Sequence, residues 1–293
     1  MTGILFLIIA TVCAAMFSIF FKIFQLKDID SLQAIFFNYL TAFVLGLLIS
    51  FDGELVDNPL KARWLLPVIV LGFIFVAGMV LLSFSTRRVG VAISTVCSRA
   101  SMVIPIIISY QLIAGSDKPK WLPISLVLIG MILAIWTGKD KQFSFKDIFA
   151  PVIVFLTFGI SNSMLKIIQD RVSVARADWP DYMVDKELAL VSACIFLAAM
   201  LFCSVSFFRK DRAPFRWRNV LGGMGLGAAN YGCTYILMLA MKTIDSSILF
   251  PFHNLGIVAI GAIVGWICFH EKMRPHQVIG IVLAAAAIFW LCI

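Results

Sequence analysis

Arg99 stands alone as a charge in the run VAISTVCSRASMVIPIII (91–108), with Ser94, Thr95 and Ser98 within about one helical turn before it. A guanidinium stays protonated in a protein and presents its N–H donors as a planar fork, the shape that matches a carboxylate or a phosphate with two parallel bonds. At the centre of a bilayer helix it costs about 2.5 to 3.5 kcal/mol on insertion scales, so a wet cavity or a set of helix carbonyls must offset it. Ser94 and Ser98 are four apart, as are Thr95 and Arg99, which gives a helix here a polar stripe on adjoining faces. His253 and Asn254 interrupt another apolar run. A histidine there is either a neutral, hydrogen-bonded helix contact or a proton-linked group, since its ordinary pKa lies near neutrality. GGMGLGAANYGCTYILMLAM (222–241) adds Asn230, Tyr231, Thr234 and Tyr235, and SNSMLKIIQ (161–169) adds Asn162 and Ser163. The candidate substrate-binding set is Arg99, Asn254, His253, Ser98, Thr95, Asn230, Tyr231, Tyr235 and Asn162. The ionisable groups at depth are cationic or neutral, a field suited to a carboxylate, a phosphate or a zwitterion.

The elements that position these residues follow from composition. The 293 residues are 61% hydrophobic and only 14% charged, against roughly 25% charged in soluble domains, and the mean hydropathy is +1.00. Ten apolar runs, 3–25, 32–51, 64–85, 91–114, 121–138, 147–168, 188–208, 219–241, 246–269 and 276–292, each have about the length that lets a helix cross a bilayer. Continuous runs exclude the alternating strands of a membrane barrel, and the short joins leave no room for a soluble domain. The first run lacks a basic leader and exceeds the usual core of a secretory signal, so it is expected to be a retained helix. The seven cysteines fall inside spans without paired spacing and indicate neither a disulfide framework nor a metal site.

The chain matches itself once. FSIFFKIFQ (17–25) lies on SNSMLKIIQ (161–169), pairing Lys22 with Lys166 at an offset of 144. TRRVGVAISTVCSR (86–99) lies on MKTIDSSILFPFHN (241–254) at an offset of 155, pairing Ser98 with His253 and Arg99 with Asn254. The expected fold is therefore an all-α integral membrane protein of ten transmembrane helices, arranged as two five-helix repeats, 1–145 and 146–293. An odd number of crossings per repeat gives the two opposite orientations, an arrangement found in secondary transporters. Gly223 with Gly227, and Gly261 with Gly265, are spaced for close helix contact. Lys22 and Lys166, towards helix ends, are expected to reach along the protein surface to the headgroups. Glu271 and Arg274 are expected to orient the last helix at a membrane boundary.

The tract SSILFPFHNLGIVAIGAIVGWICFHEKMRPHQVIGIVLAAAAIF (246–289) resembles the drug/metabolite transporter superfamily in its EamA-like branch of ten-helix carriers. The small residues, Pro251, then Glu271 before Pro275 and Gly280 carry the likeness. The chain departs from the pattern with Ser116 and Asp117 before the fifth run, Asn38 where many relatives have an arginine, and Phe17 where a tryptophan is common. The resemblance implies a multi-pass carrier of a bacterial inner membrane with both termini cytoplasmic. The basic residues point the other way. The segments that would then face inward hold Lys61, Arg63, Lys118, Lys120, Lys166, Arg171, Arg176, Lys186 and Lys242, nine against fourteen outside.

No phosphate-binding glycine loop for ATP occurs, which leaves a proton gradient or substrate exchange to drive transport. No acidic residue lies near the centre of a span, so proton-coupled export of lipophilic cations is disfavoured. The net charge of +8 resides in short joins as topology determinants rather than as a nucleic-acid surface. His253, His270 and His276 have no intramembrane carboxylate with which to bind a catalytic metal, and no nucleophile motif surrounds Ser98, so an enzyme is not expected, nor is a cofactor. The expected partners are a small-molecule substrate and the lipid bilayer. The expected activity is alternating-access transport, as an exporter, of a small polar metabolite such as an amino acid or organic anion. A sugar-phosphate or nucleotide-sugar carrier and a subunit that flips lipid-linked substrates are alternatives on the same architecture.

Overall fold

In hydrocarbon no water satisfies a backbone N–H or C=O, so each apolar run must close its hydrogen bonds on itself as a helix. The computed structural model of the chain describes residues 2–51, 64–89, 97–112, 118–135, 149–204, 214–269 and 275–292. Among these are ten helices and no strand: α1 Thr2–Leu26, α2 Ser31–Ser50, α3 Leu65–Val89, α4 Val103–Leu112, α5 Trp121–Ile135, α6 Phe149–Ala175, α7 Asp181–Ser204, α8 Trp217–Met241, α9 Ser246–Phe269 and α10 Pro275–Cys292. Five of them, α1, α2, α3, α6 and α7, contain stretches long and apolar enough to cross a membrane, and α5, α9 and α10 carry shorter apolar stretches. Two ends differ from the hydropathy reading. α6 continues past residue 168 to Ala175 and α7 begins at Asp181 rather than 188. Charged residues end an apolar run but do not end a helix.

The chain forms two compact units. Unit 1 is Met1–Val76 with Ile167–Thr243, and unit 2 is Ala77–Lys166 with Ile244–Ile293. In unit 1, α2 packs on both α7 and α8, and α1 packs on α8. The approach is closest at small residues. A Cβ built on Gly227 would stand 2.5 Å from the Asn38 carbonyl oxygen and 2.7 Å from Thr41 Cβ, and one on Gly223 would stand 2.5 Å from the Ala34 carbonyl oxygen. Gly46 faces Ala193 and Tyr231 in the same way, and Gly72 of α3 faces Ala198, Ala199 and Ile195 of α7. The core between these helices holds Tyr39, Phe196, Ala199 and Tyr231, with Tyr39 stacked on Phe196 at 6.3 Å. One end is closed by polar contacts. Asp30 caps α2 by accepting from the Gln33 N–H, the Asp30 N–H donates to Asn219 Oδ1, and Asn219 Nδ2 donates to Gln33 Oε1 at 2.9 Å. The preceding turn places Asp28 at φ 51°, the left-handed region that aspartate tolerates better than most residues.

In unit 2, α10 packs on α5 and on α9, and α9 also meets α5 and α4. Gly130 of α5 lies against the Gly280 carbonyl oxygen and Ala284 of α10, and Gly159 of α6 lies against Ile104 of α4. Two expectations change. The fourth run is not one helix: residues 97–100 are helical, Ser101 and Met102 form a turn, and α4 restarts at Val103. Among the described residues Gly261 has no neighbour within 4 Å of a built Cβ, whereas Gly223 and Gly227 meet backbone of α2.

The two kinds of glycine give a matched test. Gly227→Ala should lower the melting temperature in detergent, because backbone cannot yield to a Cβ as a flexible side-chain tip can, at a cost of about 1 to 3 kcal/mol. Gly261→Ala should be neutral or stabilising by up to about 1 kcal/mol from helix propensity. Equal effects of the two would refute the close α2–α8 contact.

Candidate functional site

In unit 2 the geometry around Arg99 starts from Pro105. Proline has no N–H to give the carbonyl four residues back, so Ser101 O is taken instead by the Ile104 N–H at 3.0 Å, three residues on. The Met102 N–H bonds to Arg99 O at 3.2 Å, also three residues on, and the Ser101 hydroxyl donates to Ser98 O at 2.6 Å. The helix is thereby tightened and broken directly after Arg99. Ser98 is buried and Arg99 half-buried. On α9, Pro251 lies inside the helix and His253 and Asn254 are both buried. The Arg99 charge lies within Coulombic range of His253. Asn254 Nδ2 donates back to Phe250 O at 2.9 Å, which fixes its amide along its own helix. α4 is tied to the start of α9 by the Ser246 hydroxyl, which donates to Ser109 Oγ at 3.0 Å, both residues being buried.

α6 supplies the third side. Gly159, packed on Ile104, puts the face with Asn162, Ser163 and Lys166, one and two turns on, beside the restart of α4. Asn162 is half-buried, and the Ser163 hydroxyl donates back to Gly159 O at 2.7 Å. Lys166 corrects an expectation: it is 8% exposed, buried in protein rather than laid along the surface towards the headgroups. Thr95, Glu271 and Arg274 lie outside the described residues, as does the side chain of Lys22.

The remaining candidates are in unit 1. Asn230 of α8 is buried and its Nδ2 donates to Asn38 Oδ1 of α2 at 3.1 Å. Asn38 thus serves as an amide partner between two helices. Tyr231 and Tyr235 stack at 5.5 Å with 19° between their planes. Among the described residues neither the Tyr231 hydroxyl nor Asn38 Nδ2 meets a hydrogen-bond partner, and both atoms are buried.

One polar cluster escaped the sequence reading. Glu187 of α7, 7% exposed, receives the Trp64 indole N–H at 3.0 Å and the Arg176 Nε–H at 2.8 Å, and the Arg176 guanidinium covers the Trp179 ring at 4.0 Å. Beside it Lys242 donates to Asp185 at 2.8 Å and to Asp181 at 3.2 Å. Burial works against the Lys242 ammonium, yet the hydrogen bonds and charges of Asp185 and Asp181 hold its pKa above the ordinary lysine value. The available signal was Glu187, the last of the acidic residues Asp178, Asp181, Asp185 and Glu187, immediately before an apolar run that itself follows Arg176 and Lys186. A span drawn from residue 188 discards it.

Comparison with known proteins agrees with this architecture. A sequence model of the EamA-like transporter family matches residues 1–136 and 183–293. An uncharacterized protein of Haemophilus influenzae is 24% identical over 296 residues, covering 97% of this chain and 96% of that protein. A protein crystal structure superposes with a TM-score of 0.70 at 12% identity, covering 98% of this chain and 95% of the other, a likeness of fold.

Two substitutions test the polar groups of unit 1. Removing a buried hydroxyl that has no partner removes a desolvation cost, so Tyr231→Phe should leave the melting temperature of the substrate-free protein unchanged or raise it. A clear drop would show that the hydroxyl is bonded. Glu187→Ala leaves the Trp64 N–H and the Arg176 guanidinium without their acceptor and should cost about 2 kcal/mol, the solvent around Arg176 limiting the loss. Glu187→Gln, which keeps one acceptor, should lose less in the same melting experiment.

Proposed function

Because the chain belongs to the EamA-like transporter family, we infer that it is a secondary carrier that exports a small polar metabolite bearing an anionic group, such as an amino acid or other organic acid, by alternating access. The observation that carries this reading is the interior of unit 2. Arg99 sits at a broken helix with His253 in its field, and Lys166 is buried in the same unit. Among the described residues of that unit the one carboxylate is Asp245, whose side chain accepts from the Ser247 N–H at the start of α9. A fixed excess of positive charge in a low-dielectric setting favours an anion and disfavours a cation. In this reading Arg99 binds the anionic group, Ser98 and Asn162 contribute neutral hydrogen bonds, and His253 and Asn254 shape the adjoining wall of α9. A proton gradient or substrate exchange drives the cycle.

The inverted five-plus-five repeat belongs to the same reading and is supported by glycines that recur at the repeat offset. Gly72 of α3 packs on α7 and Gly227 of α8 packs on α2, 155 residues apart, and Gly130 of α5 packs directly on its counterpart region at Gly280 of α10. Two repeats of opposite orientation supply two alternative halves of a transport cycle. Lys166 favours a second reading within the class. Two cations in one unit suit a phosphate, as in a phosphorylated or nucleotide-linked sugar, better than a single carboxylate.

Uptake into liposomes of purified protein, screened with labelled amino acids, organic acids and sugar phosphates, tests both. Arg99→Ala should leave a folded protein with substrate affinity weakened by about 2 to 5 kcal/mol, as when an anion loses its buried partner. Arg99→Lys should recover part of it, keeping charge and losing the fork. Lys166→Gln should impair a phosphate substrate far more than a monocarboxylate. Unchanged affinity in folded Arg99→Ala protein removes Arg99 from the site.

A further inference from the structure

Arg99 and Ser109 both address α9. The Ser246 hydroxyl at the start of α9 donates to Ser109 Oγ at 3.0 Å, and the Arg99 charge lies within Coulombic range of His253 on the same helix. Ser246 and His253 are seven residues apart, a spacing that a regular α-helix places within about 20° of one face. Pro251 stands between them inside the helix. Arg99 and Ser109 are ten residues apart, which at about 100° per residue falls about 80° short of three whole turns. A regular helix over 97–112 would therefore turn Arg99 away from the face that carries Ser109.

The backbone after Arg99 makes up this difference. The Met102 N–H donates to Arg99 O and the Ile104 N–H to Ser101 O, so the two bonds close over Ala100, Ser101, Met102 and Val103. At three residues per turn each residue advances about 20° more than in an α-helix, and four such residues supply about 80°. The tightened stretch is packed rather than frayed. Ser101 and Met102 are fully buried, the Ser101 hydroxyl is engaged by Ser98 O at 2.6 Å, and Ile104 lies against Gly159 of α6, where a Cβ would have no room. The cause is Pro105, buried in the first turn of α4. It has no N–H for Ser101 O, which leaves that carbonyl to Ile104.

We infer that Pro105 is a positioning residue for substrate recognition: by forcing the tightened turn before it, the proline rotates the Arg99 guanidinium onto the face that meets α9. The inference rests on Arg99 binding the anionic group of the substrate, as proposed above. The Ser109–Ser246 bond fixes the part of α4 against which the rotation is made, and the Ser101 hydroxyl holds the turn. Alanine at 105 restores the missing donor, so the regular helix resumes and the guanidinium turns aside with its charge intact.

A substrate-free cross-link tests the rotation. In a chain whose seven native cysteines are replaced by Ser, Arg99→Cys and His253→Cys are joined in nanodiscs by a short bis-methanethiosulfonate, with and without Pro105→Ala. The pair should cross-link when Pro105 is kept and at least threefold less with Pro105→Ala, whereas Ser109→Cys with Ser246→Cys should cross-link equally in both. No Arg99→Cys/His253→Cys product with Pro105 kept, or equal yields with and without it, overturns the inference. Binding is read with labelled glutamate and inorganic phosphate. Pro105→Ala should preserve or raise the melting temperature and yet weaken the anion that binds at least tenfold, a divergence that a merely structural proline would not give. Added to Arg99→Ala it should weaken binding no further, because it acts through that residue, and an additive loss refutes positioning. Ser101→Ala, which keeps the proline, takes its place in the cycle where Pro105→Ala does not fold, with a non-additive loss of at least threefold. If Arg99→Ala weakens binding and Pro105→Ala does not, this inference falls and the anion site stands. If Arg99→Ala has no effect, or neither anion binds the unsubstituted protein, the anion site falls and the role of Pro105 in recognition with it.

Discussion

Helices in a bilayer have no hydrophobic force to bring them together, because lipid tails are as apolar as leucine, and close packing must supply the attraction instead. That constraint organises the rest of this protein. α2 is held on one side by Gly223 and Gly227 of α8 and on the other through Gly46 against Ala193 of α7, each time at backbone distance. Large residues such as Tyr39, Phe196 and Tyr231 fill the space these approaches leave. The lipid-facing surface is freely apolar, with Ile4, Leu48 and Leu66 all more than half exposed, since exposure to lipid carries no penalty for such side chains.

Polar groups are then distributed by the work the bilayer allows them. At the ends they cap and pin: the Asp30, Gln33 and Asn219 network at one end of unit 1, and the Glu187 cluster at the other. At depth they are few. Most are satisfied within their own helices, as Ser163, Asn254 and Ser192 are by carbonyls four residues back. Arg99, His253 and Lys166 in unit 2 are ionisable groups at depth, and in unit 1 the Tyr231 hydroxyl is buried without a hydrogen-bond partner among the described residues. The three in unit 2 carry the transport reading.

The helices were legible because period, length and apolarity report directly on hydrogen-bond closure in hydrocarbon. The internal match drew Arg99, His253 and Asn254 together as candidates, and the three fall in one compact unit. The break at Ser101 was not legible, although Pro105 was in plain view: a proline can stand inside an unbroken helix, as Pro251 does in α9, or follow a break, and the choice depends on which donor recovers the orphaned carbonyl. Lys166 was misplaced because a lysine near the end of an apolar run looks the same whether its side chain follows the lipid boundary or turns inward. Gly261 and Gly227 share a spacing but not a neighbour. Glu187 was lost for a different reason, since hydropathy ends a span at the first charge and cannot see the indole and guanidinium brought to it from Trp64 and Arg176.

The restart of α4 has an electrostatic consequence. A helix that crosses in one piece keeps the two poles of its peptide dipoles in the headgroup layers, where water screens them. A helix that restarts after a turn, as α4 does at Val103, places its amino-terminal pole at that turn. Its amino-terminal pole is equivalent to roughly half a positive elementary charge, and here it stands four residues beyond the Arg99 guanidinium. The backbone at this turn is therefore part of the electrostatics around Arg99, and no substitution of a side chain removes it and no change of pH titrates it.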